Sequence, residues 1–216
     1  MSDAGPLRDR LDLRFRNRAL IVCDVDEVAL EFVNPFNAFL NASGYELLPR
    51  SFRLTGNVVA LEDGSAAERE KVQELLDGFF ASQMDWQTPT DGVETALANL
   101  SDIADIVFLT AMPPRHFEVR RSLLDRHNLP YPLVATMDAK GPLIEELHDG
   151  RDHPVIFIDD LVHNLHSAQK HVPHAFAINY MSNDRFRAMA PHPGMDVAQA
   201  EDWVEIERII RHHIGA

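Results

Sequence analysis

Ala19-Leu20-Ile21-Val22-Cys23-Asp24-Val25-Asp26 (ALIVCDVD) is the stretch on which the reading of this chain turns. Its apolar run does not alternate with polar residues, which suits a strand covered on both faces. The run ends in two acids spaced i, i+2, so an extended backbone carries both carboxylates on one side. Continuous runs of the same kind recur at 104–110 (ADIVFLT), 132–136 (PLVAT), 154–159 (PVIFID) and 174–179 (HAFAIN). Helical spacing fills the intervals: Val93, Ala96, Leu97 and Leu100; less cleanly, Phe117, Arg120, Leu123, Leu124 and His127; then Leu161, Leu165 and Ala168; finally Trp203, Ile206, Ile210 and Ile214. Strands alternating with helices predict an α/β fold, a parallel sheet with helices on both faces.

One interval is too long for an ordinary crossover, the one spanning residues 31–88. Asn34–Asn41 reads as a short helix opened by an N-cap Asn and Pro35. Ser51–Leu61 reads as a strand pair turning near Gly56-Asn57. Val72, Leu75, Leu76, Phe79 and Phe80 mark an amphipathic helix. The expected organisation is a core of residues 18–30 and 89–216, a small helix-plus-hairpin module inserted at 31–88, and a polar, loosely held lead-in at 1–17.

The 216 residues, 45% of them hydrophobic, are enough for one sizeable domain with such an insert. A formal net charge of -14 argues against nucleic acid and anionic membranes as partners. Phosphate can still bind an acidic protein where a metal and a few cations reverse the local field. The single cysteine, Cys23, excludes an intramolecular disulfide and reads as a buried, inert thiol. No apolar stretch approaches the roughly 20 residues of a membrane span. The charged start lacks the apolar core of a secretory signal. A cytoplasmic enzyme is expected.

Residues able to do chemistry fall at the carboxyl ends of the expected strands, the edge where open α/β sheets bind ligands. Asp24 and Asp26 follow the first strand; such a pair repels unless a divalent cation holds it, and oxygen ligands suit magnesium. The same pair would equally serve to cap a following helix. Thr110 ends the next run, where a hydroxyl beside free backbone N–H groups can grip a phosphate oxygen or simply cap the helix that Pro114 opens. Lys140, before Gly141-Pro142, could neutralise phosphate or aspartate, or lie exposed as most lysines do. Asp159-Asp160 ends a very apolar run, where uncompensated charge is costly and a cation would account for it.

Taken in order, IVCDVDEV, VFLT, Lys140 with Gly141-Pro142, and IFIDD resemble the four motifs of the haloacid dehalogenase superfamily in its phosphatase branch. The run from Pro89 through Leu97 resembles that family's return to its core after a cap. The resemblance covers about residues 18–180 and implies a Rossmann-like, doubly wound core with residues 31–88 as a cap. It implies Asp24 as nucleophile and metal ligand, and Asp26 as general acid/base with its backbone carbonyl on the metal. It further implies Thr110 on the phosphoryl group, Lys140 neutralising Asp24, Asp160 on Mg2+ directly, and Asp159 acting through water or behind the metal. Asn164 stands where many members carry a further acid, and Glu27 where many carry glycine. Asp26 favours phosphatases over the dehalogenase branch, which lacks an acid there.

The implied activity is magnesium-dependent hydrolysis of a small phosphorylated metabolite through an aspartyl-phosphate on Asp24. The alternatives are a phosphomutase or phosphotransferase, or a phospholigand-binding protein without turnover. A receiver-type signalling domain is disfavoured, because the second acidic pair follows the lysine and a long insert follows the first strand. Arg53, Ala111, Asn57, Phe32, Phe36 and Phe52 are candidates to face substrate, although the aromatics read more simply as core of the insert. Arg115-His116 adjoins the second motif. His163, His166, His171 and His174 read as a solvated helical face rather than a zinc site.

Overall fold

The computed structural model of the chain describes residues 13, 15–16, 18–51 and 53–216. Its main sheet has six strands in the order β5-β4-β1-β6-β7-β8. They are β1 (Ala19–Cys23), β4 (Ala104–Thr110), β5 (Leu133–Ala135), β6 (Val155–Asp159), β7 (Phe176–Asn179) and β8 (Ala198–Gln199), and every pairing is parallel. β1 lies between β4 and β6, with Cys23 in register with Phe108 on one side and Ile158 on the other. The strand order therefore reverses beside β1. That reversal opens a crevice beyond its carboxyl end, where Asp24 stands.

The unbroken apolar runs are explained by burial on both faces. Ile21 and Cys23 of β1 point into one cluster with helices α3 (Val93–Ser101), α4 (Phe117–Arg126) and α8 (Trp203–Ile214). Leu20 and Val22 point into the opposite cluster with α5 (Lys140–His148) and α6 (Val162–His171). Gly141 lets α5 and α6 approach closely: a Cβ there would lie 2.5 Å from the Ser167 carbonyl oxygen and 2.6 Å from His171 Nδ1. The short β8 and the one-turn α7 (Asp184–Arg187) have no counterpart in the sequence reading.

Between β1 and α3 the chain forms α1 (Val33–Ala42), the antiparallel pair β2 (Tyr45–Leu47) and β3 (Val58–Ala60), and α2 (Arg69–Ala81). It leaves and returns side by side: Glu31 N–H donates to the Thr88 carbonyl at 2.9 Å and Thr90 N–H to the Ala29 carbonyl at 3.0 Å. Phe36, Leu40, Val72 and Phe79 pack together here with Met112, Met181 and Phe186 from the main domain. The insert is thus seated on the carboxyl edge of the sheet.

Three sequence expectations need correcting. The hairpin does not span Ser51–Leu61; Gly56, with φ +86, makes a turn that feeds β3, whose partner is Tyr45–Leu47 upstream. Asn57 N–H closes that turn on the Leu54 carbonyl at 2.9 Å. The first insert helix runs Val33–Ala42 with Phe32 at its N-cap, so no asparagine caps it. The end of the expected lead-in is packed, with Leu13 buried in the second cluster and Phe15 under the Arg151 guanidinium, 4.8 Å from its ring centroid. Phe52 and most of residues 1–17 lie outside the described residues.

Candidate active site

β1 and β6 are neighbours in the sheet, so the residues that end them meet. Asp24 N–H donates to the Ile158 carbonyl at 2.9 Å, which continues the ladder one residue past β1. Asp159 ends β6 and Asp160 follows it. Oxygens of Asp24, Asp159 and Asp160 all lie within 4.8 Å of one another, and the three residues are buried. They are the one cluster of three or more acidic, histidine or cysteine side chains of this kind among the described residues.

Lys140, at the start of α5, is 2% exposed and reaches into this cluster. Its Nζ lies 2.7 Å from Asp24 Oδ1 and 2.6 Å from Asp159 Oδ2. Asp159 is further satisfied by the Leu161 N–H at 2.8 Å and by the Asn164 amide at 3.1 Å. Asp24 accepts the Val25 N–H at 2.7 Å. The Asp160 carboxylate has no hydrogen-bond partner among the described residues, whereas its carbonyl accepts from the Asn179 amide at 3.0 Å.

One ammonium among three carboxylates leaves the cluster negative, and the protonation tendencies follow. Burial first pushes the Asp24 carboxyl up to about 7, with Asp159 adding to burial and Lys140 opposing it. Burial, then Asp159 and Asp24, push Asp160 well above the carboxylate range. Burial works against the Lys140 ammonium, but Asp159 and Asp24 outweigh it and hold it protonated above the ordinary lysine range. Buried like charges with too little countercharge are what a divalent cation corrects. An all-oxygen donor set with one unpartnered carboxylate fits a hard ion such as Mg2+. The Cys23 thiol beside them is pushed up by burial and the neighbouring acids, in keeping with an inert core cysteine.

Asp26 points to a different neighbourhood. Its Oδ1 accepts from Arg120 Nη2 at 3.0 Å and Gln87 Nε2 at 2.9 Å; its Oδ2 accepts from Arg120 Nη1 at 3.1 Å and the Thr110 hydroxyl at 3.3 Å. Arg120, Gln83 and Gln87 were not nominated as site residues from the sequence. The one available signal was a guanidinium on a helical stripe whose other members are Phe117, Leu123, Leu124 and His127.

Glu27, the other buried acid here, has φ +66 and donors on both carboxylate oxygens. Oε1 accepts the N–H groups of Phe32 and Val33 at 2.9 and 2.6 Å, and Oε2 accepts the Ser182 hydroxyl and Asn183 N–H at 2.6 and 2.9 Å. It thereby supplies the cap that α1 lacks in its own sequence and ties that helix to the loop after β7.

A cavity of about 380 Å³ opens over the carboxylates between sheet edge and insert. Asp24, Asp26, Lys140, Asp160, Ala111 and Arg53 line it; Thr110 and Asp159 are fully buried behind them. Phe32, Leu76, Phe80, Met181 and Phe186 give it a largely apolar wall. Arg115 lines it too, with Nη2 2.5 Å from Asp77 Oδ1, an atom that His116 Nε2 also reaches at 2.5 Å. Asn57 does not face the cavity: its amide is buried on the Ser51 and Arg53 carbonyls at 2.9 and 2.6 Å, where it braces the loop that carries Arg53. Phe36 belongs to the packed interior of the insert. The histidines of α6 do not converge on a shared ligand site; His166 meets the Pro193 carbonyl and His171 the Ser167 carbonyl.

No helix among the described residues is long and apolar enough to cross a membrane. No family model and no curated protein matches the sequence. Solved structures do match. A predicted phosphatase from Clostridium acetobutylicum superposes with a TM-score of 0.59 at 16% identity, over 91% of this chain and 100% of that one. A haloacid dehalogenase-like protein from Agrobacterium tumefaciens gives 0.58 at 15% identity, over 90% and 98%. A HAD family hydrolase from Deinococcus radiodurans, solved with bound phosphate and sodium, gives 0.57 at 12% identity, over 91% and 96%. Over about nine-tenths of its length, then, the chain has the fold of haloacid dehalogenase-like hydrolases, with three aspartates buried together where β1 and β6 end.

Proposed function

We propose that this chain is a phosphatase that hydrolyses a small phosphorylated metabolite through an aspartyl-phosphate on Asp24. The observation that carries the reading is the cluster of Asp24, Asp159, Asp160 and Lys140 at the floor of the cavity, on the carboxyl edge of the sheet. Phosphoryl transfer depends on positioning and charge neutralisation, and this floor offers both. The phosphate-bound Deinococcus structure supports an anionic ligand of this class on the fold.

A carboxylate oxygen of Asp24 attacks phosphorus as the bond to the leaving oxygen breaks, and Asp26 gives that oxygen its proton. In the second half Asp26 takes a proton from water as the water oxygen attacks phosphorus, releasing phosphate and Asp24. Lys140 neutralises Asp24 and the phosphoryl oxygens throughout. Thr110 stands one strand away with its hydroxyl free to turn from Asp26 to the phosphoryl group. Asp24, Asp160 and the Asp26 carbonyl would hold Mg2+, with Asp159 behind them, and a bound cation offsets repulsion between an anionic nucleophile and an anionic ester. Residues 31–88 act as a cap that covers the cavity and excludes water from the first step. Arg53 and Ala111, on its wall, contact the substrate.

The test is phosphate release from a panel of phosphomonoesters, with magnesium and with excess chelator, for wild type and Asp24→Asn. Magnesium-dependent release that the variant loses is the expected result. Equal turnover by the variant would remove Asp24 as nucleophile. No turnover of any ester by folded, magnesium-loaded protein would point to a phospholigand-binding role instead.

A further inference from the structure

Arg120 is the least expected residue in the molecule. It is 0% exposed, on a helix whose other inward residues are apolar. Its two terminal nitrogens form a fork on both oxygens of Asp26, at 3.0 and 3.1 Å. Two of the three remaining donors are also engaged: Nε donates to Gln83 Oε1 and Nη2 to Gln87 Oε1, the latter at 3.1 Å. Those glutamines are fixed in turn. Gln83 Nε2 donates to the Phe80 carbonyl at 2.6 Å, and Gln87 Nε2 to the Glu31 carbonyl at 2.9 Å. The Phe80 ring lies 5.7 Å from the guanidinium carbon.

Burying a guanidinium and a carboxylate together adds little stability over an apolar packing of the same volume. What a bidentate fork adds is orientation, since a planar guanidinium fixes the plane of a carboxylate that a single hydrogen bond would leave free to rotate. Asp26 is the one partner in this network that lines the cavity with an ionisable group, its side chain 20% exposed. Gln83 and Gln87 belong to the segment that returns from the insert, so the fork is anchored at the hinge of the element covering the cavity.

We propose that Arg120 is the positioning residue for Asp26. It holds the carboxyl plane fixed at the cavity wall, so that when the Thr110 hydroxyl turns from Oδ2 to the phosphoryl group, the position it vacates carries the proton that passes to the leaving oxygen as the phosphorus–oxygen bond breaks. The inference rests on the phosphatase reading and assigns Arg120 no contact with the substrate. Its consequence is specific. Esters with poor leaving groups need that proton, whereas esters that expel a stable phenolate scarcely do, so loss of Arg120 must discriminate between them. A merely structural role would slow all esters alike.

The experiment measures kcat/KM for phosphomonoesters graded from p-nitrophenyl phosphate to simple alkyl phosphates, at saturating magnesium. The proteins are wild type, Arg120→Met, Arg120→Lys, Asp26→Asn and the Arg120→Met/Asp26→Asn double variant. Loss of a positioned general acid is expected to cost about 10²-fold or more on alkyl esters, and far less on p-nitrophenyl phosphate. The double variant should be no slower than Asp26→Asn alone, because both changes remove one function. Arg120→Lys, which keeps the charge without the fork, should show the same graded loss, and it carries the test if Arg120→Met does not fold. A uniform loss across the series, or multiplicative losses in the double variant, would overturn the assignment while leaving the phosphatase reading intact. A wild type inactive on every ester would instead remove the phosphatase reading, and this inference with it.

Discussion

Replacing Glu27 tests the hinge of the insert without touching the proposed chemistry. Its carboxylate receives four donors, one in a buried contact and three in part-buried ones. A hydrogen bond to a charged group contributes about 1.5–3 kcal/mol net, and water can replace part of it where it has access. Counting the Val33 contact near the top of that range and the other three well below it gives about 3–5 kcal/mol for Glu27→Ala. The backbone sets a second term. At φ +66 any residue with a Cβ is strained, by about 1–2 kcal/mol, and glycine is not. Glu27→Gly should therefore lose the same four contacts yet be about 1 kcal/mol more stable than Glu27→Ala. Urea unfolding measures both; with a slope of about 2–3 kcal/mol per molar, the alanine midpoint should fall by roughly 1–2 M. An alanine variant within about 1 kcal/mol of wild type would refute the argument that this carboxylate holds α1 to the loop after β7. A glycine variant less stable than the alanine one would refute the strain argument.

Four further outcomes follow from the same structure. Magnesium should raise the melting temperature of the wild type, with a gain of about 2.7 kcal/mol at a hundredfold excess over Kd. Asp160→Asn should be more stable than wild type without metal, since it removes a buried acid whose ionised form burial and Asp159 disfavour, and should gain little from magnesium; an unchanged magnesium shift would exclude Asp160 as a ligand. Gly141→Ala should destabilise by about 1–3 kcal/mol or more, because its Cβ meets backbone of α6, and should also lower the proposed phosphatase activity by displacing the neighbouring Lys140; a neutral effect on melting would show that α5 and α6 can separate freely. Burial, followed by His174, whose Nε2 lies 3.3 Å from the His148 Nε2, holds His148 below the ordinary histidine range, against the opposing backbone hydrogen bonds of Arg151 and His153. The unfolded chain takes up that proton first, so this stability is present above about pH 6.5 and is lost as pH falls through the folded value. Between about pH 7.5 and 5.5, His148→Gln should therefore lose less stability than wild type, and an equal loss would refute the assignment.

The strands and the acids that end them were legible because their signals are local. A run such as IVCDVD states its own burial and its own strand end, and parallel pairing then brings Asp24 beside Asp159 without further instruction. The same logic put Lys140 at the start of a helix facing that edge. Features set by distant partners were not legible. Nothing near Arg120 in the chain announces Asp26, 94 residues away, or Gln83, 37 residues away. Tyr45–Leu47 is too short to signal a strand alone, and the glycine at 56 drew the expected partner of β3 into the residues just before it instead of β2. Glu27 shows the intermediate case. Its departure from glycine was visible, but the reason it is tolerated, a carboxylate that caps α1 from outside the helix, exists only in three dimensions.

If the proposed function holds, local charge accounts for how a chain with a net charge of -14 would hold a phosphate. Among the cavity-lining cations Lys140 is shared between Asp24 and Asp159, and Arg115 is held by Asp77. Arg120, behind the wall, is committed to Asp26. Arg53 is the one cavity-lining cation with no acidic partner among the described residues. The floor therefore carries more negative than positive charge, and by itself it repels a phosphoester. On the proposed reading, attraction would come from a divalent ion on Asp24 and Asp160, assisted by Arg53 from the side of the insert. On this account the acidic floor selects for metal first and phosphate second. That order separates the site from an ordinary anion pocket, which a helix N-terminus or a cluster of free arginines builds without metal.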